Sequence, residues 1–213
     1  TVTTAEHAVS MMLALARNIP QATASLRRGR WEKKQLSGVE ISGKTLGIIG
    51  LGHIGRVVAD RARGLKMKLI AADPYVSKEA AAGLEVELVS LEALLARADF
   101  VTLHVPRLKE TMNLINAETI RQMKAGARLI NCSRGEVVDL SALHDALESG
   151  HLAGAALDVF PSEPPDADLP VLSHPKVILT PHLGASTGEA QSKVAEMIAH
   201  QISAYLLEGV ITN

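Results

Sequence analysis

The sequence predicts a doubly wound α/β domain, a parallel sheet covered by helices on both faces. Three observations carry this. Short, continuously apolar runs recur from Thr45 onward, helix-compatible stretches separate most of them, and glycine-rich text joins the first run to the first such stretch. Strands without polar alternation belong to sheets buried on both faces.

The elements follow in order. Thr3-Thr4-Ala5-Glu6 has the form of a capping box, and Ala5 to Arg17 is apolar nearly all round. Such a helix demands burial on more than one side. It is too short to span a bilayer, so packing between subunits is the expectation. Pro20 to Gly38 holds the densest basic cluster, with Arg27, Arg28, Arg30, Lys33 and Lys34. Strands are expected at Thr45–Ile49, Lys68–Ala72, Phe100–His104, Ala127–Asn131, Gly154–Leu157 and Val177–Leu179. Helices are expected at Ile54–Leu65, Leu91–Ala96, Ala117–Met123 and Leu140–Glu148, the last between an Asp139 cap and a Gly150 stop. Pro161 to Pro170 reads as a loop leaving a strand end. The final helix opens on Ser186-Thr187-Gly188-Glu189, another capping-box pattern, and stops near Gly209. Val194, Met197, Ile198, Ile202, Tyr205 and Leu206 lie on or near one of its faces.

Composition narrows the function. Among 213 residues, 22 Lys and Arg oppose 23 Asp and Glu, a net charge of −1 that argues against a non-specific nucleic-acid binder. The stacking surfaces of single-strand binders are missing too, because the aromatics are only Trp31, Tyr75, Phe100, Phe160 and Tyr205. One cysteine, Cys132, excludes an intrachain disulfide framework and suits a reducing compartment. No apolar run is long enough for a membrane span, and no signal peptide is evident. The expectation is a soluble cytoplasmic chain.

Gly50-Leu51-Gly52-His53-Ile54-Gly55 fits G-x-G-x-x-G, following an apolar strand and opening a helix. In that context the pattern is a Rossmann-type dinucleotide fingerprint. The first glycine permits the turn, the second admits a pyrophosphate, and the third lets helix and strand pack closely. The helix N-terminus supplies partial positive charge. Asp73 closes the next strand and is placed to accept hydrogen bonds from a ribose diol. A carboxylate there repels a 2′-phosphate, so NAD is expected rather than NADP.

Three later stretches fall where the carboxyl edge of the sheet belongs: Asn131 to Gly135, Leu157 through Pro164, and Pro181 to Gly184. Ligands of open α/β folds bind at that edge. Hydride transfer from a hydroxy acid needs a base, a cation for the carboxylate, and a nicotinamide held against the reacting carbon. His182 suits the first role, Glu163 can orient its ring, and Arg134 can grip a carboxylate bidentately. Each has a plainer reading: an exposed loop histidine, a solvated carboxylate, an arginine capping strand carbonyls. The other histidines show no paired metal-ligand spacing, so no metal site is expected. Cys132 reads most simply as a small buried apolar residue.

On ARNIPQATASLRRGRWEKK, GKTLGIIGLGHIG, NCSRGEVVD, GAALDVFPSEPP and PHLGASTGEAQ, the sequence resembles the D-isomer-specific 2-hydroxyacid dehydrogenases over essentially its whole length. The resemblance implies a catalytic trio of Arg134, Glu163 and His182, acting on a phosphorylated 2-hydroxy acid with NAD. It places Gly50, Gly52, Gly55, His53 and Ile54 at the pyrophosphate, Asp73 at the adenosine ribose and Val105 at the adenosine pocket wall. Asp158 would meet the nicotinamide amide, with Cys132, Ser133, Arg134, His182, Gly184 and Ala185 lining that pocket. It further implies that residues 1–42 form a homodimerisation segment of the same domain, with Lys33 reaching the neighbouring subunit's substrate phosphate; a solvated basic face is the alternative. Residues 43–213 would form the cofactor core and last helix. Family members carry a substrate domain beyond this text, so an isolated cofactor domain is expected to bind NAD and turn over poorly. A glyoxylate or hydroxypyruvate reductase, and an NAD-sensing corepressor-type module, are the rival readings.

Overall fold

A computed structural model describes residues 1–209; the end of the expected 43–213 core, residues 210–213, lies outside the described residues. Seven strands form one all-parallel sheet: β1 (Thr45–Ile49), β2 (Lys68–Ala72), β3 (Glu87–Leu88), β4 (Phe100–Leu103), β5 (Ala127–Asn131), β6 (Leu152–Leu157) and β7 (Val177–Leu179). Their order is β3-β2-β1-β4-β5-β6-β7. The chain winds outward from β1 in one direction, then returns and winds the other way from β4. A crevice opens at that reversal, above the carboxyl ends of β1 and β4.

Nine helices accompany the sheet among the described residues: α1 (Val2–Ala16), α2 (Ile19–Arg27), α3 (His53–Gly64), α4 (Lys78–Ala82), α5 (Leu91–Arg97), α6 (Ala117–Gln122), α7 (Leu140–Glu148), α8 (Pro170–Ser173) and α9 (Gly188–Glu208). They bury two apolar layers. On one face α1 and α3 enclose Leu46, Ile48, Phe100 and Ile130. On the other, α5, α6 and α7 enclose Val101, Leu103, Leu129 and Leu157. With five aromatics available, both layers are aliphatic, Phe100 being the largest fully buried side chain.

Four expectations need correction. The first helix begins at Val2, so Thr3 lies inside it and its capping box does not form; Glu6 instead faces Arg61 at 3.8 Å. The burial demanded by the apolar all-round pattern comes from the chain's own α3, β5, β6 and β7, with Ala5, Ala8, Met11, Met12, Leu15 and Ala16 buried. The last helix is capped by Thr187, whose side chain accepts from the Ala190 amide, one residue later than the Ser186 box requires. Strand β4 ends at Leu103, which releases His104 into the crevice.

Close approach fixes the glycines around the first crossover. Gly50 has φ +92, and a Cβ on it would stand 2.5 Å from the His104 carbonyl oxygen. A Cβ on Gly55 would collide with the Gly50 carbonyl oxygen, so only glycine lets α3 seat against the turn. Gly52 differs, because nothing lies within 4 Å of its missing Cβ.

Candidate functional site

Almost every residue singled out for chemistry sits just past the carboxyl end of a strand. Asp73 follows β2, Val105 lies two residues beyond β4, Cys132 to Arg134 follow β5, Asp158 follows β6 and His182 follows β7. Parallel strands place all these ends on one edge, which is why distant sequence segments converge.

A cavity of about 460 Å³ has Glu163 and His182 in its wall, and two more lie along the same edge. One, about 510 Å³, is bounded by Gly50, Gly52, Asp73, Tyr75, His104 and Val105. The other, about 410 Å³, is bounded by Ile54, Cys132, Ser133, Arg134, Asp158 and His182, with Gly184 and Ala185 at its rim. His104, Val105 and Pro106 line both, so together they form one groove that crosses β1 and β4.

The middle of the groove lies over a helix N-terminus. The α3 N-terminus is capped by Gly52 with no side-chain hydrogen bond, leaving its amides free beneath the open space over that glycine. An anion is the natural partner of such a terminus. Asp73 sits at the outer end, where Oδ2 accepts from the Leu51 amide at 2.8 Å and Oδ1 from the Tyr75 amide at 2.8 Å. The carboxylate is thereby held beside the glycine turn. His53 begins α3 and is exposed, and it lines neither cavity. The imidazole Nδ1 of His104, between the cavities, is buried without a partner among the described residues, while Nε2 meets the Thr102 hydroxyl at 2.9 Å. Burial pushes this histidine down to about 4, so it is neutral near pH 7.

The inner end carries the ionisable groups. His182 Nδ1 stands 2.6 Å from Glu163 Oε2. The hydrogen bond from His182 holds the Glu163 carboxyl below the usual glutamate range, aided by the Phe160 amide, which donates to Oε1 at 3.1 Å. An ionised Glu163 can only accept, so Nδ1 carries the hydrogen and Nε2 is free to exchange a proton. The backbone of His182 is left-handed, φ +54, and its amide donates to the Asp158 carbonyl at 2.8 Å. The pair is open to solvent, His182 by 49% and Glu163 by 37%, so a ligand can reach it. Arg134 is exposed on the same cavity, its Nη1 donating to the Ser133 carbonyl at 2.6 Å. Its loop is shaped by buried Asn131, which accepts from the Ser133 amide and hydroxyl and donates to the Arg134 carbonyl. Gly135 allows that loop to press against the Phe160 backbone, bringing the β5 and β6 ends together.

Asp158 is 0% exposed and satisfied from several directions. Oδ1 accepts from the Thr180 hydroxyl at 2.5 Å, the Leu183 amide at 2.7 Å and His7 Nε2 at 3.1 Å. Oδ2 accepts from the Gly184 amide at 2.9 Å, and the residue lines the cavity. The sequence spacing shows no metal grouping, yet the fold brings ligand atoms of His7, Cys132 and Asp158 within 4.8 Å of one another. Hydrogen bonds already engage the carboxylate, and burial followed by the Asp158 charge raises the Cys132 thiol, so Cys132 is an uncharged wall residue. His7 and Thr180 were outside the expected site. Neither has a local sequence signal, because His7 comes from the first helix and Thr180 from beyond β7.

Lys33 stands apart. It is exposed after α2, beside a shallow 240 Å³ depression shared with Arg30 and Trp31, the latter 81% exposed.

Comparison with known proteins matches residues 9–184 to the family described as D-isomer specific 2-hydroxyacid dehydrogenase, NAD binding domain. The chain belongs to this family. It is 52% identical over 208 residues to D-3-phosphoglycerate dehydrogenase of Synechocystis, covering 97% of this chain and 37% of that one. The corresponding enzyme of Archaeoglobus fulgidus is 49% identical over 202 residues, covering 95% of this chain and 38% of that relative. The chain thus spans well under half the length of these relatives. Among solved structures, Aquifex aeolicus D-lactate dehydrogenase complexed with NAD and lactic acid aligns with a TM-score of 0.88 at 31% identity, over 96% of this chain and 66% of that one. The doubly wound Rossmann architecture expected from the sequence is the family's cofactor-binding fold.

Proposed function

We propose that this chain is the NAD-binding part of a dehydrogenase that oxidises D-3-phosphoglycerate to 3-phosphohydroxypyruvate, in serine biosynthesis. The observation that carries the reading is the 2.6 Å Glu163–His182 pair, whose histidine lines the cavity that Arg134 and Asp158 share, at the inner end of the glycine-turn groove. The identity to D-3-phosphoglycerate dehydrogenases supports this substrate over a glyoxylate or hydroxypyruvate reductase.

Bound NAD would supply the hydride acceptor. The α3 N-terminus and Gly52 would hold the pyrophosphate, Asp73 the adenosine ribose, and Val105 the pocket wall. Asp73 favours NAD over NADP, because a 2′-phosphate beside a carboxylate meets like charge. Asp158 would accept from the nicotinamide amide. Arg134 would bind the substrate carboxylate through its guanidinium fork. His182 Nε2 would take the hydroxyl proton as the C–H hydride leaves, and return one in the reverse direction. Glu163 keeps the ring's Nδ1–H toward itself and stabilises the imidazolium formed.

Residues 1–42 are proposed to pair two subunits, with Lys33 meeting the neighbouring substrate's phosphate. The exposed Trp31 and basic cluster support an interface there. A cytoplasmic location is part of this proposal; among the described residues no helix is long and apolar enough to cross a membrane.

The test is NAD reduction with D-3-phosphoglycerate by a chain that carries the substrate domain. Glu163→Gln and His182→Asn should each lower kcat roughly 10²- to 10⁴-fold, the range of general acid–base assistance. Unaltered kcat in both variants would end this assignment of the base.

A further inference from the structure

Asp158 is the most enclosed ionisable group at the inner cavity, and among the described residues the one basic side chain within ion-pair distance of it is His7. His7 Nε2 lies 3.1 Å from Asp158 Oδ1 and 3.1 Å from the Thr180 hydroxyl, which itself donates to Oδ1. A carboxylate oxygen can only accept, so Nε2 carries the hydrogen and shares it between Oδ1 and Thr180 Oγ1. His7 does not line the cavity that Asp158 lines, and its side chain is 19% exposed. It touches Asp158 through Oδ1, and the other oxygen, Oδ2, is fixed by the Gly184 amide.

We propose that His7 is a positioning residue for the nicotinamide end of the cofactor: through Oδ1 and Thr180 it fixes the plane of the Asp158 carboxylate that receives the nicotinamide amide. This rests on the reading of Asp158 as the nicotinamide partner. A carboxylate rotates about its Cβ–Cγ bond, and the direction of its acceptor lone pairs rotates with it. The amides of Leu183 and Gly184 each reach one oxygen from the same loop. His7 and Thr180 come from α1 and from just beyond β7, and they bring two further donors to Oδ1. Such supporting hydrogen bonds set how well a contact residue meets its ligand.

The experiment compares calorimetric binding of NADH with that of ADP-ribose, which keeps the pyrophosphate and both riboses but lacks nicotinamide. The proteins are the wild-type chain, His7→Leu and His7→Gln, with folding checked by circular dichroism. Leucine removes the donor, and glutamine keeps an amide N–H near the position of Nε2. His7→Leu should weaken NADH about three- to ten-fold, the worth of one hydrogen bond, and leave ADP-ribose within two-fold. His7→Gln should recover NADH affinity to within about two-fold of wild type. Thr180→Val is the second variant, and it should show the same selective NADH loss even if His7→Leu does not fold. Equal losses for the two ligands, unchanged NADH binding, or failure of glutamine to rescue would each overturn the proposal. If the wild-type chain binds neither ligand, the cofactor reading itself falls, and this proposal with it.

Discussion

Replacing Asp158 by asparagine tests how the inner cavity is held together. The side chain keeps its shape, but one acceptor oxygen becomes a donor. In the native chain both oxygens are committed: Oδ1 to the Thr180 hydroxyl, the Leu183 amide and His7, and Oδ2 to the Gly184 amide. Either orientation of the new amide therefore turns an NH₂ toward a backbone N–H that cannot rotate away. If the nitrogen faces Gly184, one buried donor is left unsatisfied; if it faces Leu183, the donors on Oδ1 lose their acceptor together. The milder orientation costs one unsatisfied buried donor and three charge-assisted bonds made neutral, partly offset because no charge is then buried, about 2–3 kcal/mol net. At this chain length that lowers the melting temperature by roughly 4–12 °C. The assay is urea and thermal unfolding followed by circular dichroism, in the absence of cofactor. A variant within 0.5 kcal/mol of wild type (about the scatter of neutral surface changes) would refute the claim that this carboxylate organises the loop after β7.

Other consequences follow from the same geometry. Gly55→Ala drives a Cβ into the Gly50 carbonyl, so it should destabilise the chain by about 1–3 kcal/mol and abolish measurable NADH binding, read by unfolding and calorimetry. Leu94→Ala empties a fully buried position packed on Gly47 and should cost roughly 2–5 kcal/mol in urea unfolding without changing cofactor affinity. His104 makes stability fall with acid. The unfolded imidazole protonates near 6.5, whereas the folded one resists until about 4, so stability present above pH 6.5 is lost as pH falls toward 4. That loss is about 3 kcal/mol, and His104→Gln should flatten it in unfolding curves taken across the window. Asp73→Ser should narrow the preference for NADH over NADPH by removing the charge that faces a 2′-phosphate, measured by paired titrations.

The sheet was largely legible in the sequence because burial on both faces writes each strand as a short unbroken apolar run. Six of its strands were expected within two residues of their observed ends. The seventh, β3, pairs only Glu87 and Leu88 at the sheet edge and is too short to leave a pattern. Helix α2 was not expected because it begins after a left-handed Asn18 and carries Pro20 in its first turn, and its text reads first as a basic cluster. The same holds for the brief α4 and α8, where four or five residues define no period. Capping at the first and last helices was displaced because Thr-x-x-Glu and Ser-x-x-Glu text constrains only local geometry, whereas packing fixes where the helix starts. At the site, residues next to strand ends were legible, since topology alone sends them to one edge. His7 was not. It joins Asp158 across the whole domain, and only the docking of α1 on the sheet creates that contact.

Calorimetric titration of this chain with NADH, and with NADPH as the control, tests the central claim most directly. The account predicts saturable NADH binding at a single site and much weaker NADPH binding, with Asp73 at the ribose end of a groove the chain builds by itself. Equal or tighter NADPH binding would contradict the role given to Asp73, and a folded chain that binds neither would contradict the cofactor reading as a whole.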